Sequence, residues 1–273
     1  MIYSQDALWW RLKNPHVRAL ASVLTAPPLW QTGCELPVKA LLGEQGFRLL
    51  LEWDDNPDFR LPENVFAPRL GIFAENLLAY WFQHAPHAEL LAQNLPIVQP
   101  ETGETLGALD FVVELAGCVY HVELCCKYFG GADGQPENMV GLNAEDTLLA
   151  KYRKLPLQLA LSSYKTEIEK RVSVVRGMGF SHSGSLKADD IFAVNAWNGV
   201  LIDDVAQWQQ FVEENRFYEL PRLEWLAPAR VDFAQTVDLA ALSGSLKTGL
   251  FAQVVRRPDG FWHEIGRVMV REF

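Results

Sequence analysis

The most regular pattern in the chain is a pair of alternating runs in Leu106–Phe129, LGALDFVVELAGCVYHVELCCKYF, divided by Ala116–Gly117. Period-two alternation around a small-residue turn predicts a β-hairpin. With Ala116 and Gly117 as the turn, Leu115 faces Cys118, Val113 faces Tyr120, Phe111 faces Val122 and Asp110 faces Glu123. Leu109, Phe111, Val113, Val122 and Leu124 then share an apolar face, and Asp110, Val112, His121, Glu123, Cys125 and Lys127 share the other. Directly opposed residues have Cβ atoms about 4.5–5.5 Å apart. Asp110 and Glu123 therefore repel each other unless a cation lies between them.

Arg69 to Phe82, RLGIFAENLLAYWF, has the length of a helix and is apolar almost all round, which predicts burial between layers. Glu75 is its single acid and falls between Leu78 and Ile72, beside Phe82. A lone carboxylate there is costly unless it is paired, bound to a metal or near solvent, and a flank position reaching water is the plainer reading. Residues 15–25 read as a short helix stopped by Pro27–Pro28. FRLLLEW is strand-like, and the Asp-, Asn- and Pro-rich remainder of 45–67 reads as a loop or crossover. Residues 90–99 predict a short strand before the hairpin. Asn143–Lys154 predicts a helix capped by Asn143 and kinked or ended by Pro156, and LPLQLALSS continues as a helical turn or a core strand. SVVRGMGF and DIFAVNAW have strand composition, and Asp203–Asn215 looks helical. Leu250–Val270 predicts a hairpin turned at Pro258-Asp259-Gly260. No internal repeat is present.

Composition narrows the class. A chain of 273 residues with 49% hydrophobic content can bury a sizeable core as one large domain or a domain with an appendage. No apolar run approaches a bilayer span, so no membrane partner is expected. The N-terminal stretch MIYSQDALWWRLKNPHVRAL is charged throughout and lacks the pattern of an export signal. The four cysteines, Cys34, Cys118, Cys125 and Cys126, are then expected to be reduced thiols of a cytoplasmic protein. They contain no C-x-x-C pair for a zinc ribbon. The net charge of −10 argues against a nonspecific nucleic-acid binder. The charge is uneven, however: Lys151–Lys187 holds eight basic residues against Glu167 and Glu169. A solvated helix face and a phosphate-facing strip both fit that run.

The phosphate loop, the dinucleotide fingerprint, the serine nucleophile elbow and the H-E-x-x-H zinc motif are all missing. What remains is an order: a helix with Glu75, a strand, the Asp110 strand, the Glu123-x-x-x-Lys127 strand, then a helix carrying Lys151 and Lys154. Over roughly residues 69–165 this resembles the core of the PD-(D/E)XK nuclease-like superfamily. The resemblance implies an α/β (α+β) fold with a restriction-endonuclease-like αβββαβ core, its mixed sheet flanked by helices. Residues 1–68 would be a helical and loop region packed on that core, and residues 166–273 a C-terminal extension of the same domain.

The resemblance also assigns roles. Asp110 and Glu123 map onto the metal ligands, Glu75 onto the helical acid, and Lys127 onto the lysine that orients water or stabilises developing charge. Lys151 and Lys154 would steer phosphate. The superfamily lysine usually follows its acid by two residues, where this chain has Cys125; Lys127 lies on the same face about 6–7 Å further along. Leu109 stands where the superfamily has Pro. The implied cofactor is Mg²⁺ or Mn²⁺, with the carbonyl of Leu124 or Cys125 as a further ligand, and the implied reaction is cleavage of phosphodiester bonds in DNA or RNA. LGIFAENLLAYWF, GALDFVVEL and HVELCCKYF also make the whole chain similar to an uncharacterised bacterial family, a domain of unknown function, which implies no established activity.

Three other readings stay open. The core can be catalytically degenerate, binding nucleic acid, a partner protein or a second copy in a homodimer. Asp110 and Glu123 can be a pair on a solvated hairpin face, although flanking helices with apolar faces argue that both sheet faces are covered. The nine Trp, with Trp197-Asn198-Gly199 at the edge of a sugar pocket, would suit a glycoside hydrolase, against which core packing of Trp is the simpler account.

Overall fold

The computed structural model describes residues 11–99, 101–187, 190–244 and 246–272. Residues 1–10, half of the stretch read for an export signal, lie outside the described residues. The fold is mixed α/β. Its ten-stranded sheet comprises β1 Ala88–Val98, β2 Thr105–Leu115, β3 Cys118–Gly130, β4 Lys170–Ser181, β5 Asn198–Ile202, β6 Arg216–Leu220, β7 Arg230–Val231, β8 Val237–Asp238, β9 Gly249–Arg256 and β10 Trp262–Val270. The strand order is β1-β2-β3-β4-β5-β10-β9-β6-β8, with β7 against β10. Strands β1 to β3 are antiparallel, β3, β4, β5 and β10 run parallel, and the remaining pairs are antiparallel.

Helices α1 Pro15–Thr25, α2 Val38–Leu42, α3 Gly46–Asp55 and α4 Leu70–His84 contribute to one core, with Phe111, Val113, Val122 and Leu124 as the sheet's share. Helix α5 Leu148–Ala160 packs with Trp30, Phe129 and Val175 in a second core on the other face. Both faces of β3 are thus covered. The short α6 Leu239–Leu242 lies beside a third, smaller cluster around Trp208. Among the described residues no helix is long and apolar enough to cross a membrane.

The hairpin forms in the expected register, from Leu115↔Cys118 to Phe111↔Val122, with Ala116 and Gly117 at positive φ in the turn. Helix α1, helix α4, strand β4 and the closing hairpin β9–β10 also fall where the pattern puts them. Elsewhere the structure differs. FRLLLEW is helical, not strand-like: its short apolar run winds into α3, which buries Leu50. The helix expected from Asn143 begins at Leu148, where the Thr147 side chain accepts from Ala150 N, and it runs through Pro156 to Ala160. Asn143 instead closes a turn by accepting from Glu145 N. DIFAVNAW makes only an isolated bridge at Phe192, and Asp203–Asn215 holds a 3-10 turn, Val205–Gln210, rather than an α-helix. The basic run Lys151–Lys187 is not one strip. Arg176 is buried and donates to the carbonyls of Val23 and Leu24, while Lys170 lies over the Tyr120 ring.

Strand β3 is held along its length by the parallel ladder to β4, in which Lys127 pairs with Gly177. Gly177 has φ +128°, and a Cβ there would sit 1.6 Å from the Lys127 carbonyl oxygen. Only a bare Cα lets the two strands approach at this point. Gly177→Ala should therefore lose about 2–6 kcal/mol of stability in urea denaturation, from strain plus overpacking; a loss below about 1 kcal/mol would show that the ladder tolerates a shift.

Candidate active site

The site begins where two strands part. Strand β2 stays paired with β1 as far as Thr105, and β3 stays paired with β4 to Gly130, but the ladder between β2 and β3 stops at Phe111↔Val122. Beyond that pair a notch opens. The alternation of faces also breaks there. Leu109 packs with Ile97, Val112 and Ile168 on the side opposite Phe111, contrary to the expected shared face. Across β2 from this point, Asn94 of β1 takes a left-handed φ of 52°.

Asp110 and Glu123 stand at the apex, not as a ladder pair but braced through the backbone. Asp110 Oδ2 accepts from Leu124 N at 2.9 Å, and Glu123 Oε1 accepts from Asp110 N at 3.2 Å. Each carboxylate thereby satisfies a backbone donor that lost its ladder partner. Glu123 is only 1% exposed. His121 Nε2, on the same strand face, lies 2.7 Å from Glu123 Oε1, and Gln158 Nε2 of α5 donates to Oε2 at 2.9 Å. His121 is fully buried, and its Nδ1 has no hydrogen-bond partner.

The acids are electrostatically crowded. Burial first, then the charges of Glu123 and Glu75, outweigh the hydrogen bond from Leu124 and push the Asp110 carboxyl up to about 7. Glu75, half-buried on α4, is raised by burial and by Glu123. Among the described residues no Lys or Arg forms an ion pair with Asp110, Glu123 or Glu75. Nor does any group of three or more His, Cys, Asp or Glu side chains stand ready to hold a metal ion.

Lys127 and Lys151 form a separate group around an acid that the sequence reading missed. Lys127 Nζ donates to Asp146 Oδ2 at 2.7 Å, and Lys151 Nζ lies 3.1 Å from Oδ1. Burial opposes ionisation of Asp146, but these two lysines outweigh it and hold its carboxyl below the usual range. Lys154 is exposed; it lies on the helical row that joins Lys151 to Gln158, one turn from each. Cys125 packs toward the α5 core, where burial pushes its thiol up to about 12.

A cavity of about 460 Å³ lies against the part of β3 beyond the fork, beside the notch, and is lined by Glu75, Leu124, Cys125, Lys127, Asp146 and Trp225, among others. Asp110 and Glu123 do not line it directly and adjoin it through Leu124. The N–H and C=O of one strand residue point to the same edge, so Leu124, rather than Cys125, turns its carbonyl to this side. The structure thus gathers Asp110, Glu123 and Glu75, and brings Glu75 and Lys127 to one cavity. His121 was legible two residues before Glu123; Gln158 and Asp146 carried no signal in the chain. Trp197 is buried, and a Cβ at Gly199 would meet the Arg267 carbonyl within the sheet.

The profile of a family described as a domain of unknown function (DUF1853) matches residues 18–270. The chain belongs to this family. No curated protein and no solved structure matches it significantly. For this DUF1853 protein the chemistry of the notch therefore has to be read from its own residues.

The Asp110 carboxyl titrates near 7 in the fold against an ordinary 3.8. The folded protein thus binds the extra proton between these values, and the stability it confers at low pH is lost as pH rises through about 7. Asp110→Asn keeps an oxygen for Leu124 N and cannot ionise. It should melt higher than the wild type by about 2 °C or more at pH near 8, with the gap closing toward pH near 4. Scanning calorimetry across that range checks this, and a variant that melts lower at high pH would contradict the electrostatic account.

Proposed function

We propose that this protein hydrolyses phosphodiester bonds of DNA or RNA with Mg²⁺ or Mn²⁺ at the notch. The observation that carries the reading is the crowded acid group: Asp110, Glu123 and Glu75 come together with no Lys or Arg ion-pair partner among the described residues, beside a cavity that presents Lys127. A hard divalent cation takes carboxylate and carbonyl oxygens and completes its shell with water and substrate phosphate, so two carboxylates and one carbonyl are enough protein ligands. Asp110, Glu123 and the Leu124 carbonyl would hold the ion. When bound, it supplies a more acidic water and neutralises charge on the phosphoryl group.

The chain's own residues do the rest. His121 and Gln158 fix the rotamer of Glu123 by engaging both of its oxygens. Asp146 holds the Lys127 ammonium in the cavity, and two of its three N–H donors are left for a substrate oxygen. Glu75 places a third acid where it can orient a water. The succession α4, β1, β2, β3, α5, β4 supports a nuclease-like core of the αβββαβ kind.

The degenerate reading draws support from Cys125. It occupies the superfamily's lysine position, and its thiol, pushed up to about 12, offers no charge. Calorimetric titration of Mn²⁺ separates the two readings. The wild type should bind Mn²⁺ and cleave an oligonucleotide, and Asp110→Asn and Glu123→Gln should lose both, with cleavage down about 100-fold or more. Near-normal cleavage in Asp110→Asn sinks the assignment. Absence of Mn²⁺ binding in the wild type, with or without nucleic acid, points to the degenerate module.

A further inference from the structure

The cavity beside the notch has a second wall that the acids do not explain. Arg69, the residue before α4, and Arg222, from the 3-10 turn Arg222–Glu224, both line it. Both are exposed, and neither has a carboxylate partner among the described residues. The Arg222 guanidinium lies 5.0 Å from the centroid of the Trp225 ring, a cation–π contact.

The segment that presents Arg222 is firmly mounted. Tyr128 Oη donates to the Trp225 carbonyl at 2.6 Å, and Arg267 Nη1 donates to the same oxygen. Arg267 Nη2 also donates to Ala227 O at 2.8 Å, and Arg18 Nη2 donates to Pro228 O at 2.6 Å. Glu264 Oε2 accepts from Ala229 N at 2.7 Å and pairs with Arg267 at 2.8 Å, both side chains being fully buried. A buried ion pair adds little net stability by itself. This one spends its donors and acceptors on the backbone of Trp225–Ala229, next to Arg222, and so makes that backbone rigid.

We propose that Arg69 and Arg222 grip the phosphate backbone of a single strand of nucleic acid in this cavity, so that the C-terminal region completes the site of the core. For its substrate class the inference rests on the phosphodiester reading above. Guanidinium forks match phosphate oxygens in geometry, and two that line one cavity without a carboxylate partner are suited to that ligand. With a net charge of −10 the chain as a whole does not attract phosphate, which puts the weight on local contacts such as these. A cavity of about 460 Å³ is of the size that takes one small organic ligand, here one nucleotide. A duplex, whose major groove alone is about 12 Å wide, does not fit within it.

The test is anisotropy titration of fluorescein-labelled oligo(dT) and oligo(U), and of a duplex of equal length, in EDTA over a series of salt concentrations. Wild type is compared with Arg69→Ala, Arg222→Ala and Arg222→Lys, with thermal unfolding as the folding control for these exposed sites. The expected result is single-strand binding that weakens about tenfold in each alanine variant. The slope of log affinity against log salt should shrink by about 0.7 for each phosphate that is no longer neutralised. Arg222→Lys should keep part of the affinity. The better-bound oligonucleotide assigns DNA or RNA. Wild-type affinity in both alanine variants overturns the inference, as does absence of single-strand binding or equally tight duplex binding. Adding Mn²⁺ and following cleavage separates the two claims. Arginine-dependent binding without any wild-type cleavage retires the hydrolytic reading and leaves the grip standing. Cleavage that is indifferent to both arginines does the reverse.

Discussion

Everything around the notch depends on how two backbone donors are satisfied where β2 and β3 separate. Asp110 N and Leu124 N lose their ladder partners there, and a buried donor left unmade costs about 1–3 kcal/mol. The chain answers with side chains: Glu123 accepts from Asp110 N, and Asp110 accepts from Leu124 N. The same two carboxylates that crowd together electrostatically are therefore the ones that hold the fork open. That couples structure to chemistry, because neither acid can be removed without also stranding a backbone group. The isosteric amides, which keep an acceptor oxygen, are the informative substitutions.

Charge around the fork is divided into two compartments. Lys127, Lys151 and Asp146 form a group whose charges answer one another. Asp110, Glu123 and Glu75 form a group whose charges do not. The second arrangement is expensive in a fold unless something positive is drawn to it. Cys125 lies between Glu123 and Lys127 on the strand and packs toward the apolar side of α5. The two compartments are thus separated along the strand by a neutral residue.

The hairpin register, the placement of Glu123, Cys125 and Lys127 on one face, and the burial of α4 were all legible because they follow from strict alternation and from a long apolar helix. Leu109 was misplaced because alternation assumes a regular strand, and β2 is irregular at Asp110. FRLLLEW was misread because a short apolar run carries no decisive period. The breadth of the site was beyond local reading. Asp146 belongs to a turn before α5, Gln158 to a helix past an internal proline, and Arg222 to a 3-10 turn far downstream of the hairpin. Their convergence follows from sheet order and not from spacing. Only His121, two residues from Glu123 on the polar face, carried a signal in the chain.

The strand order has a consequence for how the molecule is made. Strand β5 takes β10 as its parallel neighbour, Val200 beside Val268 and Ile202 beside Val270. Everything from β6 through β9 is synthesised between the two. During that interval one edge of β5 is bare, next to a β3–β4 ladder that is already long enough to form. Non-local parallel pairing of this kind is slow to close and leaves edges open to other chains meanwhile. In a crowded translation environment the interior of this sheet, and not its rim, is where newly made copies would be most prone to capture one another.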